Sequence, residues 1–197
     1  MKTLIKNGLL IDPANQVQAY LNLILEDGKV VAVTEEEPEA DRVIDATGKV
    51  VAPGFIDIHM HEDPVKDGKI EFCIFDAMLR MGVTTAVGGN CGINVYDPVK
   101  YLDMVEKDGA PVNVMLFAGH QYFREAAGAL DKYAPVTKEQ QEHMKKGLEK
   151  ALEAGCVGIS YGLRYVPGTG RDEDSRFFHK KETSVGAIIN DYLTERL

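Results

Sequence analysis

The stretch "PGFIDIHMHEDP", residues 53–64, joins an apolar run to two histidines and two acids. A strand over 55–60 would turn Asp57, His59 and His61 to one face and the apolar residues between them to the other. The apolar face would pack against helices, and the polar face would line the inside of a barrel at the carboxyl end of the strand. Two neutral imidazoles in one cavity can ligate a metal ion, with Asp57 or a backbone carbonyl fixing their tautomers. The stretch therefore predicts a metal site on a parallel sheet.

The chain after residue 54 alternates apolar runs with amphipathic segments. Further strands are predicted over 83–87, 111–117 and 156–162, and helices over 70–82, 97–109 and 137–155. Asp97 is a helix N-cap followed by Pro98, and Thr137 with Gln140 forms a capping box. A longer connection, "AGHQYFREAAGALDKYAP", separates the third strand from the last helix. This alternation predicts an α/β fold whose parallel sheet is either doubly wound or closed into a barrel.

The first fifty residues consist of short apolar runs separated by turn signals. Asp27-Gly28 lies between two of these runs and predicts a hairpin. We therefore expect a small β domain over residues 1–52, followed by a β/α region over 53–168. The remainder, 169–197, is predicted as a charged loop and one helix from about residue 183.

Composition limits the partners and the compartment. The 197 residues carry 22 basic and 31 acidic side chains, a net charge of −9, and no basic run, which argues against nucleic acid. The apolar core of the first segment is too short for a signal peptide or a membrane span. Three cysteines without a secretory signal indicate a reducing compartment rather than a disulfide framework. We expect a cytoplasmic protein without a membrane partner.

Cys91 lies in the glycine-rich segment "GVTTAVGGNCG", residues 82–92. Glycines allow the sharp turn that brings the thiol close to whatever lies above the strand ends. A thiolate beside imidazoles suits zinc, so Cys91 is a candidate ligand, although a small residue in a tight turn is an equally good interpretation. Cys73 and Cys156 are predicted as small buried apolar residues.

Three segments resemble a known family. "VIDATGKVVAPGFIDIHMH" is similar to the entry into the barrel of the amidohydrolase superfamily, and "GVTTAVGGNCG" with "EAGCVGISYGLRYVPG" resembles its N-acyl-D-amino-acid deacylase (D-aminoacylase) branch. The resemblance implies a metal-dependent hydrolase of amide bonds, with one or two divalent ions, zinc above all, in a complete site. His59, His61 and Cys91 would be metal ligands. The segment "GISYG" lacks the bridging lysine of many amidohydrolases, which fits the branch in which the cysteine serves instead.

The resemblance also implies substrate-binding residues. "GHQYFRE" is similar to a family segment that places His120 and Arg124 towards the substrate, with Arg124 as a carboxylate partner. Tyr165 would line the same pocket. Exposed loop positions are the alternative for the first two, and loop packing for the third. The implied substrate is a small N-acyl-D-amino acid.

The length predicts a partial barrel. A full β/α barrel needs about 250 residues, whereas 143 follow from Phe55 to Leu197, enough for four or five units. The family's later histidine ligands and its aspartate base have no match after Gly168, so no catalytic base is assigned. We therefore predict an α/β fold with a partial TIM-type barrel of about four units, preceded by a small β-sandwich-like region.

Three functions follow from this partial barrel. The first is deacylation of N-acyl-D-amino acids, impaired by the missing half of the barrel. The second is a non-catalytic metal-binding or truncated fragment, and the third is a cyclic amide hydrolase of the dihydroorotase or hydantoinase type. Because a half barrel exposes two sheet edges, pairing in a homo-oligomer is one way to cover them. A cover formed by the tail helix is another.

Overall fold

The computed structural model describes residues 1–131 and 134–162, and the chain divides into two compact units after Gly54. The first unit is built from two sheets, with strand orders β5-β4-β1-β6 and β3-β2-β7. The predicted hairpin at Asp27-Gly28 is confirmed, since it joins β4 to β5 and both residues have positive φ. The strands are β1 (Lys2–Lys6), β2 (Leu9–Asp12), β3 (Val17–Tyr20), β4 (Asn22–Glu26), β5 (Lys29–Thr34), β6 (Arg42–Asp45) and β7 (Val50–Val51).

The second unit is a parallel sheet with helices between its strands. Its strand order is β13-β12-β11-β8, and every neighbouring pair is parallel, so each strand lies beside the one before it in this sheet. The carboxyl ends of the four strands therefore meet at one edge. The elements are β8 (Phe55–Asp57), β9 (Val65–Lys66), β10 (Lys69–Ile70), α1 (Ile74–Arg80), β11 (Val83–Gly88), α2 (Pro98–Asp108), β12 (Asn113–Gly119), α3 (His120–Ala126), α4 (Lys138–Glu153) and β13 (Gly158–Ser160), with a 3-10 turn over Asn90–Gly92.

The helix boundaries follow local signals where those signals were strong. The Asp97 carboxylate accepts hydrogen bonds from two amides in the first turn of α2, and Thr137 and Gln140 form the predicted capping box of α4. The helix predicted over 70–82 is wrong at its beginning, because residues up to Ile70 form the β9–β10 hairpin. α3 is a helix within the stretch that was predicted only as a connection.

The predicted strand over 55–60 is shorter in the structure. β8 ends at Asp57, and Ile56 and Ile58 are 65% and 71% exposed rather than packed against helices. Only β11 pairs with β8 among the described strands, so the other edge of β8 forms no strand pairing there. Met60 is buried, and its amide donates to the Val87 carbonyl at 3.4 Å. The predicted alternation of side chains therefore fails beyond Asp57.

The core of the second unit lies between the sheet and the helices. Its central side chains include Phe75, Leu116 and Leu148, each no more than 2% exposed. Burial of such side chains stabilises a fold by about 1.5–3 kcal/mol each. No helix in the described part of the chain is long and apolar enough to cross a membrane. The predicted loop and helix over 169–197 lie outside the described residues.

Candidate metal centre

The carboxyl ends of β8 and β11 bring two predicted ligands together. His59 follows the end of β8, Cys91 follows the end of β11, and the His59 Nε2 atom lies 3.3 Å from the Cys91 Sγ atom. A tetrahedral zinc ion with ordinary bond lengths places a bound nitrogen and sulfur about 3.5 Å apart. The donor types and their separation therefore fit a shared zinc ion.

His61 is not brought into a cluster with this pair. Within residues 1–131 and 134–162, no group of three or more His, Cys, Asp or Glu side chains could hold a metal ion. The physical reason is the early end of β8, since residues 58–61 no longer alternate as a regular strand. Asp57 Oδ1 accepts a hydrogen bond from the backbone amide of His59 at 3.0 Å, so its carboxylate shapes the turn rather than orienting a ring. The ligand role of His61 stays a prediction.

Cys91 has an unusual backbone conformation. Its φ and ψ are 61° and 18°, a left-handed conformation that costs a non-glycine residue about 1–2 kcal/mol. Gly89 and Gly92 on either side also have positive φ. A Cβ atom on Gly89 would lie 2.0 Å from the Phe117 carbonyl oxygen, so this loop packs directly on the end of β12. Close packing therefore accompanies a strained backbone at Cys91.

Two polar side chains tie this loop to the segment after β8 and to the end of β13. The Asn90 carboxamide, buried in the structure, donates to the Met60 carbonyl at 3.3 Å and so links the loop to the segment between the two histidines. Ser160, at the end of β13, accepts from the Gly92 amide at 2.9 Å and donates to the Gly89 carbonyl. Neither residue was predicted to have a role in this site. Asn90 directly precedes Cys91 in the chain, which was an available signal, whereas Ser160 lies 69 positions after Cys91 and had none.

Asp63, two residues after His61, caps the N-terminus of α1. It is fully buried and accepts hydrogen bonds from the backbone amides of Cys73, Ile74 and Phe75 and from the Cys73 thiol. Burial raises the pKa of Asp63, but the hydrogen bonds from these groups outweigh burial and lower it. The prediction that Cys73 is buried is wrong, because the residue is exposed and its thiol donates to Asp63, which raises the thiol pKa. Cys156 is buried as predicted.

The predicted substrate-binding residues His120 and Arg124 lie inside the protein. They are 2% and 1% exposed, and Arg124 Nη2 donates to the backbone carbonyls of Asp131 and Ala134. The His120 ring packs on Tyr161 with centroids 5.4 Å apart. Burial, helped by the Arg124 charge, lowers the pKa of His120 to about 4, so its imidazole is neutral at pH 7. His120 and Arg124 are therefore not at exposed loop positions. Arg124 instead joins helix α3 to the segment that contains Asp131 and Ala134.

The substrate roles of all three residues stay predictions. Neither His120 nor Arg124 lies in the His59–Cys91 pair, although α3 begins directly after β12 at the same edge of the sheet. Tyr165 lies outside the described residues.

The chain is similar in sequence to a deacylase and to a dihydroorotase. The chain is 32% identical over 187 residues to N-acyl-D-glutamate deacylase of Alcaligenes xylosoxydans xylosoxydans, an alignment that covers 83% of this chain and 38% of the relative. A dihydroorotase of Elusimicrobium minutum (strain Pei191) is 42% identical over 88 residues, 43% of this chain and 20% of that enzyme. The chain thus spans less than two fifths of the length of these curated relatives.

A solved structure gives the same result. N-acyl-D-glutamate deacylase from Bordetella bronchiseptica, complexed with zinc and a phosphonate inhibitor, matches with a TM-score of 0.73 and 32% identity, covering 84% of this chain and 39% of that one. These likenesses confirm the resemblance to the N-acyl-D-amino-acid deacylase branch. The protein-family model described as Amidohydrolase family matches residues 42–162, a range that contains both His59 and Cys91. The chain belongs to the amidohydrolase family.

Proposed function

We propose that the protein is a metal-dependent hydrolase of amide bonds that removes the acyl group from N-acyl-D-amino acids. The observation that carries the proposal is the 3.3 Å contact between His59 Nε2 and Cys91 Sγ at the carboxyl edge of the sheet. Imidazole and thiolate are ligands that zinc prefers. The similarity to a deacylase solved with zinc supports the same metal and substrate class.

The residues of this chain would hold the metal and position its ligands. Zinc, when bound, lowers the pKa of its water to about 7 and polarises a carbonyl oxygen. His59 and Cys91 would supply two ligands, and His61 a third. Asn90 and Ser160 keep the Cys91 loop in place through their hydrogen bonds to the strand ends. The remaining ligands and the aspartate base that the family resemblance implies would come from polypeptide that aligns with the rest of the relatives' length.

A second function, metal binding without hydrolysis, is favoured by one observation. The described residues bring two donors together and form no cluster of three or more. Such a half site could bind an ion without completing the hydrolytic machinery. Cyclic amide hydrolysis is less well supported, because the end of β13 carries Ser160, with its hydroxyl bonded to the Cys91 loop, where a bridging lysine would be needed.

The test compares zinc content and hydrolysis in the same preparations. Wild type, Cys91→Ala and a control, Cys73→Ala, are purified and analysed for zinc per chain. Each is then assayed with N-acetyl-D-glutamate, its L enantiomer and dihydroorotate. Zinc and D-selective deacylation that both disappear only in Cys91→Ala would support the proposal. Zinc without hydrolysis of any substrate would favour the half site, and a folded wild type without zinc would refute both.

A further inference from the structure

We propose that Asn94 is a positioning residue for the metal site, which fixes the Cys91 loop and so holds the thiol against the His59 ring. The inference rests on the proposed function, because the ligand role of Cys91 belongs to that function. The loop continues from Cys91 through Gly92 and Ile93 to Asn94. The contacts that fix Asn94 therefore restrict the position of the Cys91 thiol.

The carboxamide of Asn94 joins three segments of the chain. Its Nδ2 donates to Glu62 Oε1 at 2.8 Å and to the Phe117 carbonyl at 3.0 Å, and its Oδ1 accepts from the Gly119 amide at 2.6 Å. Both amide hydrogens and the oxygen are thereby used. Glu62 directly follows His61, and Phe117 and Gly119 lie at the end of β12. Asn94, in the loop that follows Cys91, is thus hydrogen-bonded directly to Glu62, the residue after His61.

Glu62 makes this connection sensitive to substitution. Its side chain is 3% exposed and packs under Gly88, where a Cβ atom would lie 2.8 Å from Glu62 Cγ. Among the described residues, Glu62 Oε2 accepts no hydrogen bond, so Asn94 provides the one that Glu62 accepts through Oε1. A buried polar group deprived of its partner is costly, and the chain relaxes to avoid that cost. Loss of the Asn94 amide should therefore displace residues 61–62 as well as the loop.

The experiment replaces the amide by its isosteric acid. Asn94→Asp keeps the acceptor for Gly119 and removes the donors to Glu62 and to the Phe117 carbonyl. The control is Asn113→Asp, since the Asn113 amide donates to the Thr84 carbonyl at 2.9 Å, at the start of β12 and away from the site. Apoprotein is titrated with Co²⁺, and the sulfur-to-cobalt charge-transfer absorption reports the thiolate ligand. We expect apparent Co²⁺ affinity to fall about 10–100-fold in Asn94→Asp, as for other residues that orient metal ligands, and to be unchanged in the control.

A double variant tests the hydrogen bond itself. Glu62→Gln combined with Asn94→Asp reverses donor and acceptor and leaves the formal charge of the pair unchanged. It should recover part of the affinity together with the charge-transfer band, because the pairing of positions 62 and 94 returns while the Phe117 carbonyl still lacks its donor; a general loss of stability would allow neither. If Asn94→Asp does not fold, the double variant decides: a wild-type band supports the proposal, and a folded double variant without the band overturns it.

A measurement without metal separates the two proposals. The alkylation rate of Cys91 by iodoacetamide, resolved by peptide mass spectrometry, should rise several-fold in apo Asn94→Asp and stay unchanged in Asn113→Asp. If the wild type binds no Co²⁺ but Cys91 is still alkylated faster in Asn94→Asp, the metal site is refuted and the positioning role of Asn94 is supported. Equal Co²⁺ affinity, equal spectra and equal alkylation rates in wild type and Asn94→Asp would overturn the positioning role.

Discussion

Gly89→Ala tests whether close packing of the Cys91 loop on β12 builds the site. A Cβ atom at Gly89 would lie 2.0 Å from the Phe117 carbonyl oxygen, whereas real Cβ atoms essentially never approach closer than 3.0 Å. The loop must therefore move by about 1 Å, well beyond the tolerance of about 0.2 Å for metal–ligand distances. The substitution also places alanine at a φ of 71°, which costs about 1–2 kcal/mol. Forced overpacking adds about 1–3 kcal/mol.

Gly128→Ala is the matched control for this prediction. Gly128 has a φ of 74°, but a Cβ atom there meets nothing within 4 Å, so only the backbone cost of about 1–2 kcal/mol applies. Urea unfolding followed by circular dichroism should show Gly89→Ala less stable than Gly128→Ala by about 1–3 kcal/mol. Competition with a chelator should show weaker zinc binding only in Gly89→Ala. Equal stability and equal zinc affinity in the two variants would refute the packing argument.

Three further predictions follow from the described contacts. Asp63→Ala leaves three backbone amides of α1 without their acceptor and should lower the free energy of unfolding by about 3–5 kcal/mol in urea titration, against a smaller loss in Asp63→Asn. Because the folded state lowers the pKa of Asp63 below its ordinary value of 3.8, its contribution is complete above about pH 4 and is lost as pH falls through the folded pKa, so wild type and Asp63→Ala should converge in acid. Thr137→Ala should lower the melting temperature through a capping loss of about 1 kcal/mol, and an unchanged calorimetric transition would contradict the role of the capping box. Arg124→Lys should destabilise the fold by about 1–3 kcal/mol, because lysine ends one bond short of the Nη2 atom that donates to the Asp131 and Ala134 carbonyls; a raised KM with unchanged stability would instead indicate contact with substrate.

Local signals predicted the elements whose causes lie within a few residues. The caps at Asp97 and Thr137 and the turn at Asp27-Gly28 are confirmed because each is set by hydrogen bonds or φ angles within one turn of chain. The strand predicted over 55–60 was too long, because the length of β8 depends on its pairing with β11, and the periodicity of a sequence does not identify a pairing partner. Helix α3 was missed for a related reason, since its burial comes from packing against α4 rather than from a strong cap.

Residue types and their spacing were enough to predict the parallel β/α pattern, the candidate ligands His59, His61 and Cys91, and the family resemblance, because all three depend on which residue stands at which position. Which of those candidate ligands come into contact depends instead on how the strands pack in three dimensions. His59 and Cys91, 32 positions apart, come within 3.3 Å because β8 and β11 are neighbours whose carboxyl ends share an edge. The polar contacts of Asn90, Asn94 and Ser160 depend on distances between strand ends, which no local pattern in the chain encodes.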